Sequence, residues 1–272
     1  MLHREFEPAE ALRDAIRCFW YDKRDFGPQP TNFDVMPDGY AEIIFHFGKG
    51  CSRVSGNTVA ALPSPFMVGL LNQPEVFRAT QYLEILAVRC YPWTVFDLLE
   101  LPSGKDSVQV FEHPVAQLQP ALQQCIDTGD IDTAINLLQQ FFLDARAKVA
   151  IDSMLHKAGV AMQHAGGNLP VSGVAAAAHA TVRTLERNFK QSSGHTVKDV
   201  SGLMRFEQAR NRLWHYPQTN LAGLAEELGY TDQSHLSREF KRYSGTTPAA
   251  FARKARQTRP LAGHDFVAFV QA

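Results

Sequence analysis

A ten-residue pattern occurs twice in the C-terminal half of the chain and constrains the fold more than any other feature. The two segments read LERNFKQSSG at 185–194 and LSREFKRYSG at 236–245. Leucine and phenylalanine stand four residues apart in both copies, and this spacing places them on one face of a helix. The closing glycine is the usual residue just beyond a helix end. The pattern therefore predicts two helices of one design, each buried along one side.

Each of these helices is preceded by a shorter helical segment and a tight turn. VSGVAAAAHAT at 171–181 aligns with LAGLAEELGYT at 221–231. Gly229 in the second copy can adopt the left-handed conformation that such a turn needs, and His179 takes the corresponding place in the first. Helix, turn and helix together form the helix-turn-helix motif. Its two predicted copies are 171–194 and 221–245.

The face opposite the buried leucine and phenylalanine is basic and polar in both predicted helices. Its members are Arg183, Arg187 and Lys190 in the first copy and Ser234, Arg238 and Lys241 in the second. Arginine can donate two hydrogen bonds to guanine in the major groove, and lysine attracts phosphate regardless of base sequence. We therefore predict double-stranded DNA as the partner, bound in the major groove. The expected phosphate contacts are Thr181, Lys190, Thr231, Lys241 and Arg242.

Charge is divided unevenly along the chain, although the net charge is only −1. Residues 1–167 hold 13 basic and 20 acidic side chains, a balance of −7. Residues 168–259 hold 14 basic and 7 acidic side chains, a balance of +7. This asymmetry suggests a polyanion-binding domain joined to a domain of another kind.

The segment LAEELGYTDQSHLSREFKRYSGTTPAAFARKAR strongly resembles the C-terminal DNA-binding domain of AraC/XylS-type transcription regulators. The resemblance covers about 168–258 and implies two helix-turn-helix units joined by a long helix at 197–216. It also implies that the two recognition helices enter successive major grooves on one face of the DNA. Carried over by position, the base contacts fall on Arg183, Glu186, Arg187, Gln233, Ser234, His235 and Arg238. Glu186 replaces a commoner neutral residue, and it could accept a hydrogen bond from cytosine or merely face solvent.

The N-terminal half is predicted to be rich in β-structure, because short apolar segments alternate with Gly and Pro turn signals. Strands are expected at 40–48, 66–71 and 82–91, as parts of a small sandwich or barrel. The segment VMPDGYAEIIFHFG and the closing HDFVAFVQA resemble parts of the short-barrel sensor domains and tails of some AraC/XylS-type regulators.

These patterns define an α+β multidomain chain. A β-rich sensor or assembly domain, a small β-barrel or sandwich, is expected at 1–163 and ends in helices at about 115–163. The Gly-rich segment HAGGNLP at 164–170 is the expected linker. The all-α double helix-turn-helix domain then spans 171–258, and a C-terminal tail spans 259–272.

An apolar stripe lies in the expected helical segment before the linker. Ile131, Ile135, Leu138 and Phe142 follow the spacing of one helix face. The stripe can pack on its own β-rich domain or on a second subunit, and the residues alone favour neither. AraC/XylS-type regulators often dimerise through helices at this place, so the resemblance slightly favours a homodimer.

The N-terminal half offers candidates for a small-molecule effector pocket but no catalytic constellation. Phe45, His46, Tyr82 and Trp93 could line such a pocket, although aromatic residues can equally fill a barrel. No H-x-H pair accompanies His46, which argues against a cupin-type metal centre. The four cysteines lack CxxC spacing, so we expect neither zinc nor any other cofactor.

Together these features predict a DNA-binding transcription regulator rather than an enzyme. Its candidate partners beyond DNA are RNA polymerase, a small-molecule effector and a second copy of the chain. No apolar stretch is long enough to span a membrane and no secretory signal is visible, so we expect a cytoplasmic location. Two alternatives stay open, a cupin-like binding protein or enzyme with a helical appendage, and a regulator whose first half only dimerises.

Overall fold

Two open antiparallel sheets form the N-terminal part of the protein in the computed structural model, which describes residues 2–101, 107–149 and 153–258. The strands are β1 Leu2–Phe6, β2 Ile16–Asp25, β3 Thr31–Val35, β4 Ala41–Gly48, β5 Cys51–Ser55, β6 Thr58–Ala61, β7 Phe66–Val68, β8 Glu75–Ala79, β9 Tyr82–Cys90 and β10 Val108–Gln109. One sheet has the order β1-β2-β9-β4-β7-β10, and the other has the order β3-β8-β5-β6. The predicted fold class is confirmed, as a sandwich rather than a barrel. The tail expected at 259–272 lies outside the described residues.

The six-stranded sheet is covered on both faces, which explains its apolar sequences. On one face, Trp20, Ile44 and Ile85 share a core with the four-stranded sheet, which contributes Phe33 and Phe77. On the other face, β4 and β9 pack against helices. A strand buried on both faces shows a continuous apolar run in place of apolar–polar alternation.

The three strands expected from the sequence are all present. β4 and β9 pair antiparallel from Ala41 opposite Cys90 to Gly48 opposite Leu83, and they coincide with the expected strands 40–48 and 82–91. The strand expected at 66–71 is shorter and ends at Val68.

Three helices cover the outer face of the six-stranded sheet. They are α1 Thr94–Leu99, α2 Gln119–Thr128 and α3 Ile131–Arg146. Gly129, with a φ of 73°, ends α2 in the left-handed conformation that suits glycine. Asp130 then starts α3, because its side chain accepts a hydrogen bond from the Thr133 N–H.

The apolar stripe on α3 belongs to the core of its own chain. Ile131, Ile135, Leu138 and Phe142 are all buried. Phe142 meets Phe19 of β2 edge to face, with ring centroids 6.2 Å apart. Because one chain already covers the stripe, the stripe offers no surface to a second subunit. Of the two packings that the residues left open, the structure has the intramolecular one, and the homodimer that the resemblance favours stays a prediction without support from this stripe.

The helices after α3 form the C-terminal part of the protein. They are α4 Met154–His164, α5 Val171–Ala177, α6 Val182–Ser193, α7 Val197–His215, α8 Leu221–Glu227, α9 Gln233–Ser244 and α10 Pro248–Thr258. Their apolar sides share one core, which Leu70 and Trp93 enter from the N-terminal part. α4 precedes the expected linker, yet its Leu155, Ala158 and Met162 are buried in this C-terminal core.

The expected linker at 164–170 lies against α7. The side chains of Arg205 and Gln208 donate hydrogen bonds to the carbonyls of Gly167 and Gly166, both at 2.8 Å. These contacts fasten the segment to the longest helix of the C-terminal part.

Candidate nucleic-acid interface

The first helix-turn-helix unit consists of α5, a turn and α6. His179 has a φ of 51° in this turn, the left-handed conformation that the alignment of the two copies implies. Thr181 caps α6, because its hydroxyl accepts a hydrogen bond from the Thr184 N–H at 3.2 Å. Leu185 and Phe189 are fully buried. The inner face expected for α6 is therefore confirmed.

The second unit repeats this geometry with α8 and α9. Gly229 has a φ of 70° in the turn between them. Asp232 caps α9 by accepting a hydrogen bond from the His235 N–H at 2.6 Å. Leu236 and Phe240 are fully buried, so the two units present equivalent outer faces.

These outer faces carry most of the residues expected to meet DNA. The exposed members are Arg183, Arg187 and Lys190 on α6 and Gln233, Ser234, Arg238 and Lys241 on α9. Because these side chains are exposed, they can reach into the groove of a DNA duplex. Their contacts with DNA stay a prediction.

Two residues assigned to base contacts have partners within the chain. Glu186 accepts a hydrogen bond from the Val197 N–H at 3.3 Å, at the start of α7. His235 is half-buried, and its ring lies edge-on to the Tyr230 ring with 5.3 Å between centroids. Both side chains therefore have contacts within the chain, and their contacts with DNA stay a prediction.

The residues assigned to phosphate contacts lie at the ends of the recognition helices. Thr231 is exposed just before α9, and Thr181 is exposed as the cap of α6. Arg242 lies in the last turn of α9, with its Nη2 atom 3.6 Å from Asp199 Oδ1, and its side chain is still 54% exposed. Its guanidinium also lies 5.2 Å from the centre of the Tyr243 ring.

Helix α7 joins the two units and sets their separation. Its 19 residues span about 28 Å at 1.5 Å per residue. Thr196 and Asp199 form a capping box at its start. Phe206 of α7 meets Phe240 of α9 with ring centroids 5.0 Å apart. This packing fixes the second recognition helix on the connecting helix.

The four residues expected to line an effector pocket do not meet in one place. Phe45 is buried between the six-stranded sheet and its helices, whereas Trp93 is buried in the C-terminal core. Tyr82 is 56% exposed at the start of β9. His46 Nε2 lies 3.0 Å from the Leu62 carbonyl oxygen, and burial lowers the pKa of the ring. The structure does not assemble these residues into a shared pocket.

A buried ion network beside α7 leaves almost no signal in the sequence. Arg89 Nε donates to Glu42 at 2.7 Å, and its Nη2 atom lies 3.5 Å from Asp38. Arg210 of α7 donates to the Pro37 carbonyl at 2.6 Å. The PDG segment that contains Asp38 is recognisable in the sequence only as a turn. In the structure this turn docks the sandwich on α7.

The described residues hold no group of three His, Cys, Asp or Glu side chains placed to bind a metal ion. Cys18 and Cys51 are buried thiols, and burial raises the pKa of each to about 12. A thiol with so high a pKa is a poor nucleophile or ligand at neutral pH. Within the same ranges, no helix has both the length and the apolar character needed to cross a membrane.

Comparison with known families identifies two matching regions. Residues 174–254 match a family described as a helix-turn-helix domain, and this range includes α6, α7 and α9. Residues 4–112 match a domain of unknown function, DUF6597.

Comparison with individual proteins gives shorter or weaker similarities. The HTH-type transcriptional regulator RipA of Corynebacterium diphtheriae is 33% identical over 69 residues, which cover 25% of this chain and 20% of RipA. The match thus spans about a fifth of that relative. ToxT from Vibrio cholerae is 9% identical with a TM-score of 0.46, and the similarity covers 86% of this chain and 98% of ToxT. The DNA-binding domain of AdpA, solved with a target DNA, is 26% identical with a TM-score of 0.37, over 41% of this chain and 99% of that domain.

Proposed function

We propose that this chain, whose C-terminal part belongs to the AraC/XylS type of helix-turn-helix transcription regulators, binds an operator through both helix-turn-helix units. The observation that carries the proposal is the pair of equivalent recognition helices, each buried on its Leu/Phe side and basic on its outer side. A single amphipathic basic helix is often only a solvated face. Two such helices, held at a fixed separation by one packed helix, suit a ligand such as duplex DNA, whose major groove recurs at regular intervals.

The outer residues divide into two roles. Arg183 lies in the first turn of α6, and Arg187 and Arg238 lie in the middle of their helices, all on the exposed faces, where a guanidinium can donate two hydrogen bonds to guanine. Lys190 and Lys241 lie a turn later and contribute sequence-independent attraction to phosphates. We assign base readout to the first group, together with Gln233 and Ser234, and affinity to the second.

The N-terminal sandwich has a regulatory role in this proposal. Its PDG turn docks on α7 through the Arg210–Pro37 hydrogen bond, and its Trp93 lies in the core of the DNA-binding part. A ligand that changes the sandwich can therefore alter the placement of α7. This connection supports the proposal that a small-molecule effector controls the protein, and RNA polymerase is the further partner that we propose. A DNA target supports the expected cytoplasmic location.

The proposal is tested by selecting binding sites from random duplex DNA with the purified chain. We expect one enriched sequence with two half-sites. Arg238→Ala should weaken binding to the selected duplex by roughly 1–3 kcal/mol and relax the preference at one base position. Lys241→Ala should weaken all duplexes to a similar degree.

Lys148→Ala is the matched control, because Lys148 is exposed on the N-terminal part and should leave DNA affinity unchanged. Failure to enrich any sequence would contradict sequence-specific recognition. Equal losses for Arg238→Ala and Lys241→Ala on every duplex would contradict the assignment of their roles.

A further inference from the structure

A cavity of about 360 Å³ lies between the sandwich and helix α7, away from the recognition helices. Its volume falls in the range of small-molecule sites, roughly 300–1,000 Å³. It is lined by Gly39, Tyr40 and Tyr91 from the sandwich and by Gln163, Gly166, Met204, Glu207 and Gln208 from the helical part. None of the four residues expected to form an effector pocket is in this lining.

Glu207 is the charged group of this cavity, and its charge is poorly balanced. Its side chain is only 22% exposed, and its one ion pair among the described residues is a contact of 3.9 Å with Arg210 Nη2. Arg210 is committed elsewhere, because its Nη1 atom donates to the Pro37 carbonyl at 2.6 Å. Burial raises the pKa of Glu207 to about 7. A carboxylate in such a place gains from a cationic partner.

When Glu207 is ionised, the buried charges beside the cavity leave an excess of one negative charge. Arg89 is held by Glu42 at 2.7 Å and lies 3.5 Å from Asp38. With Arg210 and Glu207, the buried cluster therefore has three carboxylates and two guanidinium groups. At its rim the further charges balance, since the Glu5 and Asp22 carboxylates are opposed by Arg17 and by His3, whose pKa is raised to about 9 and which lies 3.7 Å from both carboxylates. One bound cation would balance the cluster.

Two aromatic rings stand beside this carboxylate, and one of them, Tyr40, already attracts a cation, because the Arg89 guanidinium lies 5.6 Å from its ring centre. The Tyr40 and Tyr91 ring centroids are 5.8 Å apart with an angle of 44° between the planes. Tyr91 is stacked on the buried Trp93 ring at 5.4 Å and 8°, so its position is fixed. Aromatic faces next to a carboxylate attract organic cations through the ring quadrupole. Met204 adds a polarisable thioether to the same wall.

The apolar part of the lining suits an alkylated ammonium group. Besides Glu207 and the side-chain amides of Gln163 and Gln208, the cavity offers the Tyr40 and Tyr91 rings, the Met204 thioether and glycine backbone. A primary ammonium needs an acceptor for each of its three N–H donors, whereas an N-alkylated ammonium needs fewer acceptors. N-alkyl groups can pack on these surfaces while the charge stays close to the carboxylate.

We propose that this cleft binds a small alkylated ammonium compound, with Glu207 as counter-ion and the Tyr40 and Tyr91 rings as cation–π partners. Such a ligand touches the PDG turn of the sandwich and helix α7 at the same time. It therefore holds α7 in one position against the sandwich. Resting on the proposed function, we infer that it changes the affinity for operator DNA.

Binding is measured first without DNA, by isothermal titration calorimetry of the full chain with choline chloride. Its neutral isostere 3,3-dimethyl-1-butanol is the ligand control. We expect saturable choline binding, with the isostere at least about tenfold weaker. Glu207→Gln should weaken choline binding by about tenfold or more, and Glu226→Gln, on the exposed side of α8, should leave it unchanged.

Thermal melts establish that each variant is folded. Choline binding that does not saturate below about 10 mM would overturn the site, and so would equal binding of the neutral isostere. Unchanged choline binding by a folded Glu207→Gln protein would overturn the role of the carboxylate.

The affinity for the selected duplex is then compared with and without saturating choline. A shift of about threefold or more supports the coupling, and an unchanged affinity with choline bound would overturn it. A protein that binds choline but selects no DNA sequence would instead contradict the proposed function and leave the cleft assignment standing.

Discussion

Replacing Gly159 in α4 by alanine should destabilise the protein, although alanine favours helices more than glycine does. A Cβ atom on Gly159 lies 2.0 Å from Cε2 and 2.4 Å from Nε1 of the Trp93 indole. Trp93 is fully buried and stacked on Tyr91, so it has no free space to move into. The clash lies where the sandwich and the DNA-binding part share a core.

Two effects of opposite sign decide the magnitude. Alanine in a helix interior gains about 0.5–1 kcal/mol over glycine. Overpacking a filled core costs about 1–3 kcal/mol, and ordinary carbon–carbon contacts lie at about 3.5–4.0 Å. Because a separation of 2.0 Å is far inside that distance, the cost should dominate. We expect the free energy of unfolding to fall by about 1–2 kcal/mol.

Gly223 in α8 provides the matched control, because a Cβ atom there meets nothing within 4 Å. Gly223→Ala should raise the free energy of unfolding by up to about 1 kcal/mol. Urea unfolding, followed by tryptophan fluorescence and circular dichroism, measures both variants. If both substitutions stabilise the protein equally, α4 does not pack closely on Trp93, and the shared core between the two parts is refuted.

Three other expectations concern stability and salt. Phe240→Ala should lower the free energy of unfolding by about 3–5 kcal/mol, because Phe240 is fully buried and meets Phe206. A melting temperature equal to that of the wild type would show that the buried and exposed faces of α9 are assigned the wrong way round. Burial raises the pKa of Glu207 from 4.5 to about 7, so the folded state keeps a proton that the unfolded state loses between these values. The free energy of unfolding should therefore fall as pH rises through this window, by up to about 1.4 kcal/mol per unit, and urea titrations of Glu207→Gln should lack this fall. DNA affinity should drop steeply as the salt concentration rises, and the slope of log binding constant against log salt should be smaller by about 1 for Lys241→Ala. Binding that does not depend on salt would exclude phosphate contacts.

The double helix-turn-helix domain could be predicted from the sequence because its signals are local. Leu236 and Phe240 stand four residues apart, so the buried face follows from helix geometry alone. Gly229 marks the turn before this helix, and its positive φ agrees with its place in the alignment. The same signals repeat in the first unit, so each copy supports the other.

The sandwich could be predicted only in part, because the order of the strands in its sheets depends on contacts between residues far apart in the sequence. β4 and β9 are long and apolar, whereas β6 and β10 are short edge strands with little pattern. Trp93 is an aromatic residue of the kind that often lines a pocket. Its neighbours in the structure come from α4 and α6, far along the chain. The stripe on α3 was equally compatible with a dimer, because a helical period specifies a buried face but not what covers it.

The Glu207 cleft could not be predicted from local sequence for the same reason. Tyr40, Tyr91 and Glu207 are separated by 51 and 116 positions in the sequence and meet only where the PDG turn docks on α7. No periodicity connects residues so far apart. Their combined chemistry appears only once the two parts of the chain are packed together.

The most direct test of the regulator assignment is the spacing of the two half-sites in the selected duplex. Helix α7 holds the two units at a fixed separation, so both recognition helices should fit one duplex only when the half-sites lie one helical turn apart, about 10 bp. Affinities are measured for the selected duplex and for duplexes with about 5 or 10 bp inserted between the half-sites. We expect both insertions to reduce the affinity to that of a single half-site. Equal affinity for all three duplexes would contradict simultaneous reading by α6 and α9.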